Sequence, residues 1–155
     1  MTIRFTSDVQ AQCFERVKTW LEELYPTVSQ PFASLPVLSV ALGSAIATVE
    51  VMAWGESDAI ITTASFVVTE AEITKDLMEY LLMQNAECQF GVFSLDDLGN
   101  IRLHSTLVGS SCDRQKLDMA VTSVLAVADY YDDQIVAVWG GQRGLDRLAG
   151  HASTS

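Results

Sequence analysis

The residues best suited to do chemistry in this chain of 155 amino acids are a cysteine and a histidine, Cys112 and His104. Cys112 lies near the start of a predicted helix, where the helix dipole favours a thiolate, and His104 lies on the predicted strand just before it. A thiolate beside an imidazole is the arrangement of a nucleophilic enzyme. Yet His104 alternates with apolar neighbours, as an ordinary solvent-side strand residue does. A ligand pocket or minor enzyme near Cys112 and His104 is therefore the alternative, and the prediction is a non-enzymatic protein.

The acidic stretch DDLGN offers the next candidate site. A calcium loop needs oxygen ligands at alternating positions and a bidentate Glu at its end. Asp96 and Asp97 are adjacent, and the twelfth residue from either is Leu107 or Val108. The template fails, whereas Asp, Gly and Asn are the residues that a tight hairpin turn selects. The sequence predicts a turn.

Two further constellations are interpreted structurally. Asp129, Asp132 and Asp133 offer three carboxylates, but no second acidic motif matches them, so a solvated helix face is predicted. Gly140 and Gly141 follow a predicted helix and not a strand, which favours a helix cap over a phosphate-binding loop. No metal site and no cofactor are predicted.

Composition narrows the class of partner. The formal charge is −11, from 9 basic and 20 acidic residues, so nucleic acid and anionic membranes are unsuitable partners. The three cysteines, Cys13, Cys88 and Cys112, are widely spaced, which fits reduced thiols. The N-terminal sequence has no apolar leader and no later run is long enough to span a bilayer. We expect a cytoplasmic protein.

Apolar spacing predicts the first half of the fold. A helix begins after Ser7, its N-cap, and stops at Pro26. Three strands rich in Val, Ile and Thr follow over residues 37–42, 46–54 and 58–68, and short Gly-containing turns separate them. These strands predict an antiparallel meander.

The second half combines two helices and a hairpin. Thr69-x-x-Glu72 predicts the start of a helix with Ile73, Leu77, Tyr80 and Leu81 on its inner side and an exit at Asn85. Strands at 88–95 and 101–108 flank the turn, and a long helix follows that ends at Gly140. Runs of neighbouring strands predict an α+β fold with an antiparallel sheet. Residues 1–141 are predicted to form a single domain, and residues 142–155 a flexible C-terminal tail.

The whole pattern resembles the YbjN family of bacterial proteins in its cyanobacterial form, which is similar in fold to class I type III secretion chaperones of the CesT type. The matching features include Val49–Trp54, Ile60–Val68, the FGVF stretch from Phe90 and the closing AVADYYDDQIV. The resemblance implies a twisted five-stranded antiparallel sheet with helices packed on one face, and a homodimer. It also implies binding of unfolded protein segments.

The functional prediction is a chaperone-like or regulatory module that binds a peptide or partner protein. Apolar side chains on strands are the candidates for its binding surface. Met52 and Trp54 share one face of the second strand of the meander, and Phe93 and Leu95 share one face of the first hairpin strand. Their alternative is a place in the core, because a shift of one residue in register exchanges the two faces.

Overall fold

A computed structural model of the chain describes residues 2–43 and 45–144. Its helices are α1 (Asp8–Leu24), α2 (Lys75–Glu87) and α3 (Arg114–Trp139), with one 3-10 turn at Gly109–Ser111. Its strands are β1 (Thr27–Ser29), β2 (Val37–Leu42), β3 (Ala45–Trp54), β4 (Asp58–Thr69), β5 (Val92–Leu95), β6 (Ile101–Val108) and β7 (Gln142–Arg143). The α+β class and the predicted order of the main elements are confirmed.

Within the described residues the sheet has seven strands, where the sequence predicted five. Its order is β1-β2-β3-β4-β6-β5, and β7 pairs with β4 outside this path. The two additional strands, β1 and β7, have three and two residues, too few for a period-2 pattern to be visible. Close contacts divide the described residues into two compact units, one with residues up to 63 and 106–122, the other with residues 64–105 and 123–144. The prediction of a single domain over residues 1–141 stays a prediction.

The first unit is built on α1 and the β2–β3 pair. The Ser7 hydroxyl accepts a hydrogen bond from the Gln10 N–H at 3.1 Å and caps α1, which ends before Pro26, as predicted. One face of α1 is buried and packs against β3. In the sheet, Leu38 faces Val49 and Val40 faces Ala47, and all four side chains are buried. The alternation predicted for the meander is thus present.

The second unit has its own apolar core. The buried side chains come from β4, α2, the β5–β6 hairpin and α3: Val67, Val68, Leu77, Leu81, Phe93, Ile101, Leu103, Val124, Ala128 and Ile135. Helix α2 packs against β5. Helix α3 ends at Gly140 and Gly141, whose φ angles of 72° and 88° confirm the predicted glycine cap.

Helix α2 begins later than predicted, so the prediction of a capping box at Thr69 is wrong. Its N-cap is Thr74, whose hydroxyl accepts from the Leu77 N–H at 3.1 Å. Thr69 instead ends β4, where it pairs with Gln142 of β7, and the Glu72 N–H donates to the Trp139 carbonyl at 3.0 Å. These long-range backbone bonds hold the segment in a non-helical conformation, which leaves Ile73 exposed before the helix.

The predicted tail from 142 to 155 falls mostly outside the described residues. Its first two residues form β7, in register with Val68 and Thr69. Gly141 lies so close to β4 that an added Cβ would be 2.5 Å from the Thr69 carbonyl oxygen. The chain therefore stays against the sheet for at least these residues.

Candidate functional site

An apolar groove of about 250 Å³ lies in the second unit between α2 and β5. Helix α2 contributes one wall and β5 the other. The lining side chains are Met78, Leu81, Leu82, Asn85, Phe93, Ser94 and Leu95. A concave surface lined by apolar groups with few polar ones is the usual form of a binding site.

The groove exists because α2 is apolar over more of its circumference than the core covers. Leu77 and Leu81 face inward and are buried, whereas Met78 is 43% and Leu82 is 70% exposed. Met83 is exposed to a similar extent, 69%, but does not line the groove. Exposed apolar side chains clustered beside a hollow indicate a place where another molecule binds.

The β5 wall contains two of the residues predicted from the sequence. Phe93 is 6% exposed, fills the base of the groove and meets the Tyr131 ring edge to face at 5.1 Å. Leu95 is 38% exposed at the rim. Phe93 thus satisfies both predicted alternatives, because its ring is part of the core and also lines the groove.

Asn85 is the polar group of the α2 wall, and it is engaged with the backbone of β5. Its Oδ1 accepts from the Phe93 N–H at 2.6 Å, and its Nδ2 donates to the Phe93 carbonyl at 3.3 Å. The helix continues past Asn85 to Glu87, whereas the sequence predicted an exit at Asn85.

The DDLGN stretch is a hairpin turn, as predicted. Asp96 Oδ1 accepts from the N–H groups of Leu98 and Asn100, each at 2.9 Å, and Gly99 has a φ of 78°. Although desolvation acts to raise the pKa of Asp96, hydrogen bonds from Asn100 and Leu98 hold it below its ordinary value. The carboxylate is thus used to shape the turn.

Met52 and Trp54 lie in the first unit, near the end of β3. They alternate with Val49 and Val51, which are buried, and are themselves 50% and 55% exposed. They therefore form a second apolar surface, which belongs to the first unit.

Cys112 lies in a hollow of about 380 Å³ in the first unit, lined by Val9, Cys13, Arg16, Trp20, Asp58, Ala59, Gly109, Ser110 and Cys112. Burial, together with the neighbouring Cys13 and Asp113, raises the pKa of the Cys112 thiol to about 11. Burial also raises the pKa of Cys13. A raised pKa opposes the thiolate that a nucleophile requires.

The other polar groups of this hollow are bonded to one another. Asp58 accepts from the Ser110 hydroxyl at 2.6 Å and from the Ser110 N–H at 3.0 Å. Arg16 donates to the Gly109 carbonyl at 3.5 Å and lies 5.9 Å from the centre of the Trp20 ring. These contacts fix the turn at Gly109–Ser111.

His104 belongs to β6 in the second unit, where it is paired with Val92. Burial, and then the charge of Arg102, lowers its pKa below the ordinary value. At neutral pH the imidazole is therefore uncharged, and a strand pairing accounts for its position.

The three aspartates of α3 differ from the predicted solvated face at one position. Asp129 and Asp133 are exposed, and Asp133 is paired with Arg143 at 3.6 Å, but Asp132 is only 3% exposed. Burial raises the pKa of Asp132, and the charges of Asp133 and Asp129 act in the same direction. Over residues 2–43 and 45–144, no three His, Cys, Asp or Glu side chains are grouped so as to hold a metal ion.

Sequence reasoning missed Met78, Leu82 and Asn85. The signal was present, because Met78, Leu82 and Met83 lie outside the inner stripe predicted for α2 and are nevertheless apolar. The role of Asn85 had no such signal, since it depends on a contact with a strand eight residues later.

An α+β domain with an open apolar groove has the form of a protein that binds peptides or protein segments. The comparison with known families agrees: residues 36–147 match the sequence model of TY-Chap1, described as "T3SS (YopN, CesT) and YbjN peptide-binding chaperone 1". The chain belongs to this family. The resemblance to YbjN and CesT proteins is thereby confirmed, and the prediction of a protein-binding function agrees with it.

Two solved structures share the fold. A chain of the crystal structure of the ExsC–ExsE complex matches with a TM-score of 0.62 and 13% identity, over 83% of this chain and 96% of that one. A chain of the HopA1–SchA chaperone–effector complex matches with a TM-score of 0.60 and 8% identity, over 79% and 96%. No curated protein sequence matches the chain. No helix in the described part of the chain is long and apolar enough to cross a membrane.

Proposed function

We propose that this protein is a non-enzymatic, chaperone-like module that binds an apolar segment of a partner protein in the groove between α2 and β5. The observation that carries the proposal is the exposure of Met78 and Leu82 beside a hollow whose walls are almost entirely apolar. Burial of such side chains by a partner contributes roughly 25 cal/mol per Å² of apolar surface removed from water. Membership of a family of peptide-binding chaperones supports the same function.

The four residues chosen from the sequence take different parts in this proposal. Phe93 and Leu95 supply the β5 wall of the groove. Met52 and Trp54 supply a second surface in the first unit, where a further part of the partner is held. Large exposed aromatic side chains such as Trp54 often dominate the energy of an interface.

The absence of enzymatic activity is part of the proposal. Its support is the state of the best chemical candidates, because burial raises the pKa of Cys112 and lowers that of His104. A thiol that stays protonated and an imidazole that stays uncharged do not form the ion pair of an activated nucleophile.

The predicted homodimer and cytoplasmic location also stay proposals. Two copies with a charge of −11 each repel one another, so a dimer has to rest on apolar surface and has to strengthen as salt screens the repulsion. Light scattering at low and high salt tests the oligomeric state, and fractionation of cells that contain the tagged protein tests the location.

The groove is tested with a matched pair of neighbouring residues. Leu82 and Met83 are exposed almost equally, 70% and 69%, and only Leu82 lines the groove. Short peptides selected from a random display library on the wild-type protein serve as probes. We expect Leu82→Glu to weaken their binding about tenfold or more, while Met83→Glu changes it less than about twofold.

The outcomes separate the possible occupants. Equal losses for both variants would mean that the added charge on α2, and not contact within the groove, decides binding, and would contradict the proposal. If Leu82→Glu converts a dimer to a monomer without changing peptide affinity, the groove holds a second copy of the chain instead.

A further inference from the structure

The contact between Asn85 and Phe93 closes one edge of the sheet. The two hydrogen bonds, 2.6 Å from the Phe93 N–H and 3.3 Å to its carbonyl, engage both backbone polar groups of one residue. In an antiparallel ladder, a hydrogen-bonded pair makes the same two bonds with the opposite residue. The Asn85 amide thus takes the place of a residue in a neighbouring strand.

The register of the hairpin identifies the side on which this happens. The Asp96 N–H donates to the Asn100 carbonyl, so Asp96 faces β6. The N–H and C=O groups of successive residues point to opposite sides of an antiparallel strand. The backbone groups of Val92 and Ser94 therefore also point toward β6, and those of Phe93 and Leu95 point away from it. Since β5 is the last strand of the order, no strand within residues 2–43 and 45–144 pairs with this outer side, and Asn85 is the group that bonds to it there.

A closed edge changes which peptide conformation the groove can accept. Strand β5 has four residues, and with Phe93 engaged only Leu95 remains to pair outward. An extended peptide buried against these apolar walls would have most of its N–H and C=O groups unpaired, which is costly. A helix has no such cost because its backbone groups bond to one another.

We propose that Asn85 seals the β5 edge, so that the groove binds a helical segment of the partner through apolar side chains and does not extend the sheet. This inference rests on the proposed function. The α2 wall suits such an occupant, since Met78, Leu81, Leu82 and Asn85 form one ridge with the i, i+3, i+4, i+7 spacing against which a second helix packs.

Two synthetic peptides of identical Leu and Lys composition test the conformation. One places its leucines at helical spacing and the other alternates Leu with Lys, which favours a strand. At moderate salt we expect the wild-type protein to bind the helical peptide about tenfold more tightly than the alternating peptide. Leu82→Glu should abolish this difference in affinity, and Met83→Glu should preserve it.

A second pair of variants tests the seal itself. Asn85→Leu places an apolar side chain of similar size in the groove and removes both hydrogen bonds. Gln84→Leu is the control, since the Gln84 side chain accepts from the Tyr131 hydroxyl and does not bond to β5. We expect hydrogen exchange of the Phe93 amide to accelerate about tenfold or more in Asn85→Leu only. The alternating peptide should then gain affinity for this variant.

Should Asn85→Leu not fold, Asn85→Asp tests the carbonyl half of the seal. Its carboxylate can still accept from the Phe93 N–H but cannot donate to the Phe93 carbonyl. We therefore expect hydrogen exchange of the Phe93 amide to stay slow, and the alternating peptide to gain affinity relative to the helical peptide of identical charge. If the wild-type protein binds the alternating peptide more tightly than the helical one, the proposed seal is contradicted, while the proposal that the groove binds a partner still holds. If neither peptide responds to Leu82→Glu, the proposed function fails, and unchanged Phe93 exchange in Asn85→Leu overturns the seal independently.

Discussion

The hollow around Cys112 and the groove between α2 and β5 differ in what their polar groups do. In the first unit, the polar groups around Cys112 are bonded to one another, Asp58 to Ser110 and Arg16 to the Gly109 carbonyl. In the second unit, the groove is apolar, and the Asn85 side-chain amide is hydrogen-bonded to the backbone of β5. A hollow with reactive residue types is not for that reason a reactive site, and a hollow without them can still bind through its apolar surface.

The groove can be tested first through its two β5 residues. Phe93→Ala removes a buried ring from the core and its contact with Tyr131, so we expect a loss of about 3–5 kcal/mol in the free energy of unfolding. Leu95→Ala should cost less than about 1 kcal/mol, since Leu95 is 38% exposed. Urea unfolding followed by circular dichroism measures both.

The Phe93→Ala and Leu95→Ala variants distinguish a residue that stabilises the fold from one that contacts the peptide. Leu95→Ala should weaken peptide binding although the fold is unchanged, because Leu95 forms the rim. A large loss of stability in Leu95→Ala would mean that the rim belongs to the core, and the contrast between the two hollows would disappear.

The reactivity of Cys112 tests the other hollow. With a pKa raised to about 11, its thiolate fraction at pH 7 is on the order of 10⁻⁴, roughly a hundredfold below that of an ordinary cysteine. We expect iodoacetamide to label Cys112 correspondingly slowly, at a rate that rises about tenfold per pH unit up to pH 10. Mass spectrometry of timed samples follows the modification.

A labelling rate that levels off below about pH 8 would contradict this expectation. It would mean that an ionised thiol forms near neutral pH, and the alternative of a nucleophilic Cys112 would then regain support. Free cysteine in the same buffer is the reference, and the Cys112→Ser variant identifies the signal of the remaining thiols.

The close packing of the first hollow can be tested at Gly109. A Cβ added there would lie 3.0 Å from Cys13 Sγ and 3.1 Å from the Ala59 carbonyl oxygen. We expect Gly109→Ala to destabilise the protein by about 1–3 kcal/mol, whereas Ser111→Ala in the same turn should stay within about 0.5 kcal/mol. Thermal or urea unfolding that finds the two variants equal would show that this turn adapts, and that the hollow is less rigid than its hydrogen bonds indicate.

Much of the fold could be predicted because its signals are local. Ser7 and Pro26 bound α1, the alternation in β3 defines its buried face, and DDLGN encodes its own turn through Asp96. The start of α2 could not be predicted in this way. Thr69 has the residue types of a capping box, but pairing with β7 over 70 residues later decides its conformation.

The candidate site was harder to predict for the same physical reason. Phe93 and Leu95 could be proposed because one strand presents both, but their α2 partners, Met78 and Leu82, depend on which side of a helix the core leaves uncovered. A helix with apolar residues outside its inner stripe indicates such a surface, and sequence alone does not say what faces it.

Two aspartates provide the smallest effects and the last contrast. Hydrogen bonds from Ser110 and from the Ala59 N–H lower the pKa of Asp58 below its ordinary value of 3.8. The stability that the ionised Asp58 contributes is therefore present above pH 3.8, and it is lost as the pH falls through the pKa that Asp58 has in the folded state. Burial raises the pKa of Asp132, so the folded state holds this proton more tightly, and stability falls as the pH rises from 3.8 through the folded value.

Asn substitutions at these positions should therefore change the pH dependence in opposite directions. Asp132→Asn should gain stability relative to the wild type as the pH rises from acidic to neutral, because no charge has to be buried. Asp58→Asn should lose stability relative to the wild type over the same rise, because it lacks the charge that Ser110 and Ala59 stabilise. Urea unfolding at several pH values measures both slopes. Parallel slopes would mean that the surroundings of Asp132 admit enough solvent to stabilise its charge, and that burial in the second unit is shallower than the exposure of 3% indicates.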